Sequence, residues 1–186
     1  MLLRKLRHSG FFRLQTQIHI CDDEWIDNPL SGEAGQLPPV GSEVDFFDQH
    51  FIYSLKNIHA EVDTAAPELK ELRDVWGDNH KSVRNLLAHF LLLERVWQAV
   101  PRDAEVVVLI RPDVLWIKPY YPRWALVAGR HLSFFPRWGR FGGINDRFAI
   151  MPRRHAEAYF LQGRWWRKYA KQEGALHAEE YLAWVF

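Results

Sequence analysis

The stretch Glu105-Val106-Val107-Val108-Leu109-Ile110-Arg111-Pro112-Asp113 decides how this chain is read. Its apolar run is too short for an independent helix, is rich in β-branched residues and does not alternate. That pattern predicts a strand covered on both faces, the habit of parallel sheets. Pro112 removes a backbone donor and pushes Arg111 out of helical geometry, so the strand is expected to end there. Ligands of open α/β sheets sit beyond the carboxyl ends of the strands, where Arg111 and Asp113 fall. A carboxylate at such a point suits a divalent cation or a hydroxyl, and a guanidinium suits a phosphate. A surface ion pair at a turn is the competing reading.

Upstream, Ser82 to Gln98 is the clearest helix. Val83, Leu86, Leu87, Phe90, Leu91 and Trp97 trace one apolar face, Asn79 or Ser82 is placed to cap it, and Pro101 stops it. A long helix leading into an apolar strand predicts a crossover unit of parallel strands. Earlier still, Gln15 to Ile20 alternates as a strand, Asn28 to Ser42 reads as a Pro/Gly-rich loop, and Ile52 to Val62 reads as a further strand. Leu3 to Phe12 and Glu68 to Val75 are expected as short helices. Downstream, Leu126 to Ala128, His131 to Phe135 and Arg147 to Met151 are candidate strands. Arg154 to Leu161, Arg164 to Lys171 and Leu176 to Phe186 read as helices.

Two further groups carry chemistry. Gly142-Gly143-Ile144-Asn145-Asp146-Arg147 precedes an apolar run: paired glycines let the main chain approach a ligand, Asn145 suits a hydroxyl, and Asp146 suits proton abstraction. Ordinary turn chemistry explains the same residues. His177 and Glu180, three apart, share a helix face beside Glu179. Acids in a helix's first turn are also explained by its dipole.

Composition sets the outer limits. A chain of 186 residues fits one domain with a sizeable core. Cys21 is the only cysteine, so an intramolecular disulfide and a cysteine-based zinc site are both out. Met1 to His8 is basic but lacks the apolar core of a signal peptide, and no run approaches the length of a membrane span. A cytoplasmic protein is the expectation. From Asp22 to His80 there are 14 acids against 3 Lys/Arg, and from Arg123 to Lys171 there are 11 Lys/Arg against 2 acids. Such segregation suits either a phosphate-bearing ligand or two surfaces that neutralise one another. Arg137, Arg140, Arg164, Arg167, Lys168 and Lys171 interleave with aromatics, yet no RNA- or DNA-binding motif accompanies them, so nucleic acid is not expected as a partner. Most of the nine tryptophans are expected in the core.

Taken together, Val108-Leu109-Ile110-Arg111-Pro112-Asp113, Gly142-Gly143-Ile144-Asn145-Asp146-Arg147-Phe148-Ala149 and His177-Ala178-Glu179-Glu180-Tyr181-Leu182 resemble a group of GT-A-like glycosyltransferases. The resemblance runs loosely from about Gln17 to the end and is specific over these three stretches alone. It implies a single α/β domain over residues 1–186: a GT-A-like (Rossmann-like) mixed, mostly parallel sheet flanked by helices, lacking the first nucleotide-binding strand. The implied activity is transfer of a sugar from a nucleotide-sugar donor to a hydroxyl of a glycan or glycoconjugate. The alternative is a catalytically degenerate carbohydrate- or partner-binding module.

In that reading Asp146 is the first candidate for the general base and Glu179 the second. Arg111, Asp113, Gly142, Gly143, Asn145, Arg147 and His177 hold donor or acceptor. Asp113 is the metal ligand, with a divalent cation (Mn or Mg) as cofactor. The residue two before Asp113 is Arg111 rather than a second acid, which leaves that metal a single carboxylate. A sheet edge left unpaired by the missing strand would favour a homodimer.

Overall fold

A computed structural model describes residues 17–21, 25–28, 33–36, 49–111 and 128–186. These fall into two compact units that divide between Thr64 and Ala65. Leu3 to Phe12, Leu126, Val127 and the whole role assigned to Asp113 lie outside the described residues.

In the first unit β1 (Gln17–Cys21) pairs in parallel with β4 (Gln49–Tyr53). β2 (Trp25–Asn28) pairs antiparallel with β3 (Glu33–Gln36), so part of the expected Pro/Gly loop is a strand. The strand expected over Ile52 to Val62 ends at Tyr53, and α1 (Leu55–Ala65) occupies the rest. Ile58 and Val62 are buried while Ala60 between them is exposed, so the buried positions recur once per helical turn and not at every second residue.

The second unit is mainly helical. After a 3₁₀ turn at Pro67–Glu71 come α2 (Lys81–Ala99), β5 (Val106–Ile110), β6 (Phe148–Pro152), α3 (Arg153–Phe160), α4 (Trp166–Glu173) and α5 (Ala178–Val185). α2 buries Val83, Leu87, Ala88, Phe90 and Leu93. Its first turn is held by Asp78, whose Oδ2 accepts the Ser82 amide at 2.9 Å and the Ser82 hydroxyl, so the capping acceptor is neither Asn79 nor Ser82. Gly163 lets the next layer close on α2: a methyl there would fall 2.9 Å from the Phe90 Cβ. Phe90 meets Tyr181 of α5, and Trp97 stacks on Phe160 of α3.

The mostly parallel Rossmann-like sheet expected from the sequence does not form. β5 runs antiparallel to β6, in the register Val106↔Pro152 to Ile110↔Phe148, and a lone bridge from Phe134 to Ile150 takes the place of a strand over His131 to Phe135. Among the described residues the only parallel pair is β1 with β4. Covering explains the error: only Val107 of β5 is buried, whereas all of β6 is. The apolar run that suggested a doubly covered strand is half-buried, and the doubly covered strand is its partner.

Several arginines of the basic segment pair with acids, of which Glu68 belongs to the acid-rich segment. Arg164 pairs with Glu94 at 2.7 Å, Arg167 with Glu68 at 2.6 Å and Arg130 with Glu105 at 2.8 Å. Arg167 also lies over Trp166, and Lys168 over Trp184. The tryptophans depart from expectation as well: Trp166 is buried, but Trp76, Trp138, Trp165 and Trp184 are exposed. Among the described residues no helix is long and apolar enough to cross a membrane.

Candidate functional site

The ladder between β5 and β6 determines where the charged residues go. It extends one step beyond the strands, the Arg111 amide donating to the Arg147 carbonyl at 3.1 Å, so the two arginines leave the sheet at the same end. There Arg111 Nη1 donates to Asp146 Oδ2 at 3.0 Å, a charge-assisted bond between half-buried groups. Tyr159 reaches the same residue from α3, its hydroxyl donating to the Asp146 carbonyl at 3.1 Å. Burial first, and the Asp146 charge second, push the Tyr159 phenol well above its ordinary range, so it stays a proton donor.

Asn145 is fully buried and organises the loop before it. Its Nδ2 donates to the carbonyls of Trp138 at 2.7 Å and Gly139 at 3.3 Å, and its Oδ1 accepts the Arg147 amide at 2.8 Å. Arg140 Nε closes the same loop on the Gly143 carbonyl at 2.9 Å. Asn145→Ala would leave these buried partners unmatched, at about 3 kcal/mol in total. The expected result is a lower denaturation midpoint with an unchanged slope against denaturant concentration.

The glycine pair faces protein rather than open space. A methyl on Gly143 would fall 1.8 Å from the Glu179 carbonyl oxygen, and one on Gly142 (φ +88°) would lie 3.2 Å from Glu180 Oε1. The Ile144 amide donates to that same Glu179 carbonyl at 3.0 Å. The close approach therefore docks the start of α5 against the loop.

His177 is the cap residue of α5, extended at φ −116° and ψ 130°. For that reason it meets Glu179 (Nδ1 to Oε2, 3.5 Å) and not Glu180, which is exposed. Glu179 Oε1 lies 3.9 Å from Arg147 Nη1. The Glu179 carboxyl is raised above its ordinary value, mainly by burial and further by Asp146. Its own backbone N–H, His177 and Arg147 pull the other way. Arg147 Nη1 and His177 Nδ1 are buried without a hydrogen-bond partner, at ion-pair rather than hydrogen-bond geometry. Trp76 lies against His177, ring centroids 4.9 Å apart.

Arg111, Gly142, Gly143, Asn145, Asp146, Arg147, His177 and Glu179 are thus brought together, from three stretches far apart in sequence. Trp76, Trp138 and Tyr159 belong to the same place and were not anticipated. A signal for two of them exists in the sequence, where Trp76-Gly77 and Trp138-Gly139 are each an aromatic followed by a turn residue. Among the described residues no group of three or more His, Cys, Asp or Glu is set to hold a metal ion, and the cluster's two carboxylates face cations of the protein. Asp113, the expected metal ligand, lies outside the described residues, and the carboxylates of the described cluster are engaged by Arg111, Arg147 and His177. No family model, no curated protein and no solved structure matches this chain.

Proposed function

We propose that this chain is a glycosyltransferase, moving a sugar from a nucleotide-sugar donor to a hydroxyl of a glycan or glycoconjugate. One observation carries the reading: a buried carboxyl group with raised proton affinity, Glu179, sits between Arg147 and His177 and within electrostatic reach of the Arg111–Asp146 pair. Sugar transfer needs a base for the acceptor hydroxyl and fixed positive charge for the departing diphosphate. Glu179 suits the first task better than Asp146, because Asp146 is held by Arg111 at 3.0 Å. Arg111 and Arg147 suit the second. The corrected fold removes the parallel-sheet phosphate cradle from the argument, which rests on the cluster alone.

The test is a thermal-shift panel of UDP, GDP, dTDP and CDP and their common sugars, with and without manganese. It would be run on wild type, Asp113→Asn and Arg147→Ala. A ligand that binds the folded state at a hundred times its Kd stabilises it by about 2.7 kcal/mol, a rise of several degrees. One nucleotide class should raise the midpoint, and Arg147→Ala should abolish the rise. A manganese-dependent rise lost in Asp113→Asn would restore the metal. No rise with any donor would favour the binding-module reading, for which the exposed Trp76 against His177 is the specific support.

A further inference from the structure

Glu179 is held through both its main chain and its side chain. Its carbonyl accepts the Ile144 amide at 3.0 Å, an approach that the bare Cα of Gly143 permits. Its carboxylate lies between Arg147 Nη1 at 3.9 Å and His177 Nδ1 at 3.5 Å, both at ion-pair range.

The imidazole is gripped in turn. Its ring centroid lies 4.9 Å from that of Trp76, with 31° between the planes. Trp76 is 39% exposed and the His177 side chain 12%, so the indole is the outer ring of the pair. The segment that carries Trp76 is fastened without help from the indole. Asp74 accepts the amides of Gly77 at 3.0 Å and His80 at 3.2 Å, and His80 Nε2 meets the Leu72 carbonyl at 2.8 Å. The Arg73 amide donates to the Gly174 carbonyl at 3.0 Å, which sets the segment beside the turn just ahead of His177. Gly77, Asn79 and His80 all have positive φ, a conformation that persists in the last two only where the surroundings impose it. A ring on so fixed a loop holds its neighbour in one orientation.

Orientation matters because a buried carboxylate depends on protein charge in place of water. Burial raises the Glu179 carboxyl and Asp146 adds to this, while His177 and Arg147 oppose it. The other charged groups nearby have their own engagements. Asp146 is held by Arg111, Arg140 by the Gly143 carbonyl, and Glu180 is exposed beside Gly142. On the Trp76 segment, Asp74 and His80 bond within it, and Asp78 bonds to Ser82. His177 acts on the carboxylate only while Nδ1, and not the rest of its ring, is turned to Oε2.

We propose that His177 is a positioning residue that sets the proton affinity of Glu179, and that Trp76 holds it in the orientation this requires. The use of Glu179 as a base rests on the transferase reading, but the linkage among the three side chains does not.

The experiment titrates the glutamate carboxyls of the full chain by carbon-13 NMR, the Glu179 signal being assigned by its loss in Glu179→Gln. Wild type is compared with His177→Phe, Trp76→Ala and Trp76→Phe. A phenylalanine at 177 keeps a ring against Trp76 and removes the nitrogen, so the Glu179 midpoint should rise by about half a pH unit or more. Trp76→Ala should move it the same way, and Trp76→Phe should restore most of the difference. A midpoint unmoved in His177→Phe overturns the proposal. A fall in Trp76→Ala would mean that the indole only keeps water away, and overturns its assigned part. If His177→Phe does not fold, Trp76→Ala decides, because none of the hydrogen bonds that fasten its loop uses the indole. The nucleotide panel on the same preparations separates the two readings. The expected midpoint changes without any nucleotide-induced rise in Tm uphold this proposal and sink the transferase reading. A nucleotide-induced rise with an unmoved midpoint does the reverse.

Discussion

Gly143→Ala is expected to destabilise the helical unit strongly. The added methyl would stand 1.8 Å from the Glu179 carbonyl oxygen and 2.1 Å from its carbon, inside any permitted contact. Both atoms are backbone, so no side chain can swing away. The loop must instead retreat from α5, breaking the Ile144 amide bond to Glu179 and disturbing the ladder that carries Arg111 and Arg147. Overpacking of rigid neighbours costs about 1–3 kcal/mol, and loss of a buried backbone hydrogen bond adds to it. A total of at least about 3 kcal/mol would lower the Tm by roughly 10 °C. Gly142→Ala is the useful control: its clash is milder, with the end of the Glu180 side chain, although its φ of +88° makes any side chain unwelcome. Scanning calorimetry showing Gly143→Ala within 2–3 °C of wild type would mean that the helix and loop do not meet as described.

Under the proposed sugar transfer, with Glu179 as the base, Glu179→Gln should have the largest effect on activity. Removing a general base costs typically 10²–10⁴ in rate, so kcat should fall by about that factor with KM for the donor little changed. The pH behaviour separates this role from mere packing. Only the ionised carboxylate accepts a proton, so wild-type kcat/KM should rise with pH through a midpoint above the ordinary carboxylate range, and the variant should lack that limb. Stability moves the opposite way. A carboxyl raised in the folded state contributes fully below its unfolded pKa, and that contribution is lost as pH rises through the folded value. Glu179→Gln should therefore be at least as stable as wild type at neutral pH, with its advantage shrinking toward pH 4. An activity loss below tenfold, or a pH limb that survives the substitution, would return the base assignment to Asp146.

The helices of the second unit were legible because their signals are local. Val83, Leu87 and Phe90 recur at helical spacing, Pro101 lies just beyond α2, and Glu179 and Glu180 open the last helix. The strand over Val106–Ile110 and the one from Phe148 were legible for the same reason. The three chemistry-bearing stretches could also be picked out, because glycine pairs, a proline after a strand and isolated charges beside apolar runs depend on neighbours in sequence.

What those elements do to one another was decided only in three dimensions. Nothing local to Val106–Ile110 fixes the direction of its partner, and an apolar strand half-covered by an antiparallel neighbour has the same composition as one buried in a parallel sheet. Ile58 and Val62 fit a strand or a helix until a packing surface selects the spacing. The pairing of Arg111 with Asp146, 35 residues away, and of Glu179 with both Arg147 and His177 depends on the β5–β6 register and on Gly143 admitting α5. Burial, which raises Glu179, is likewise a property of the assembled unit. The sequence by itself determined which residues could do chemistry. Tertiary structure decided which of them meet, because long-range pairing is set by the closing of loops and the covering of faces, quantities that no short stretch of chain contains.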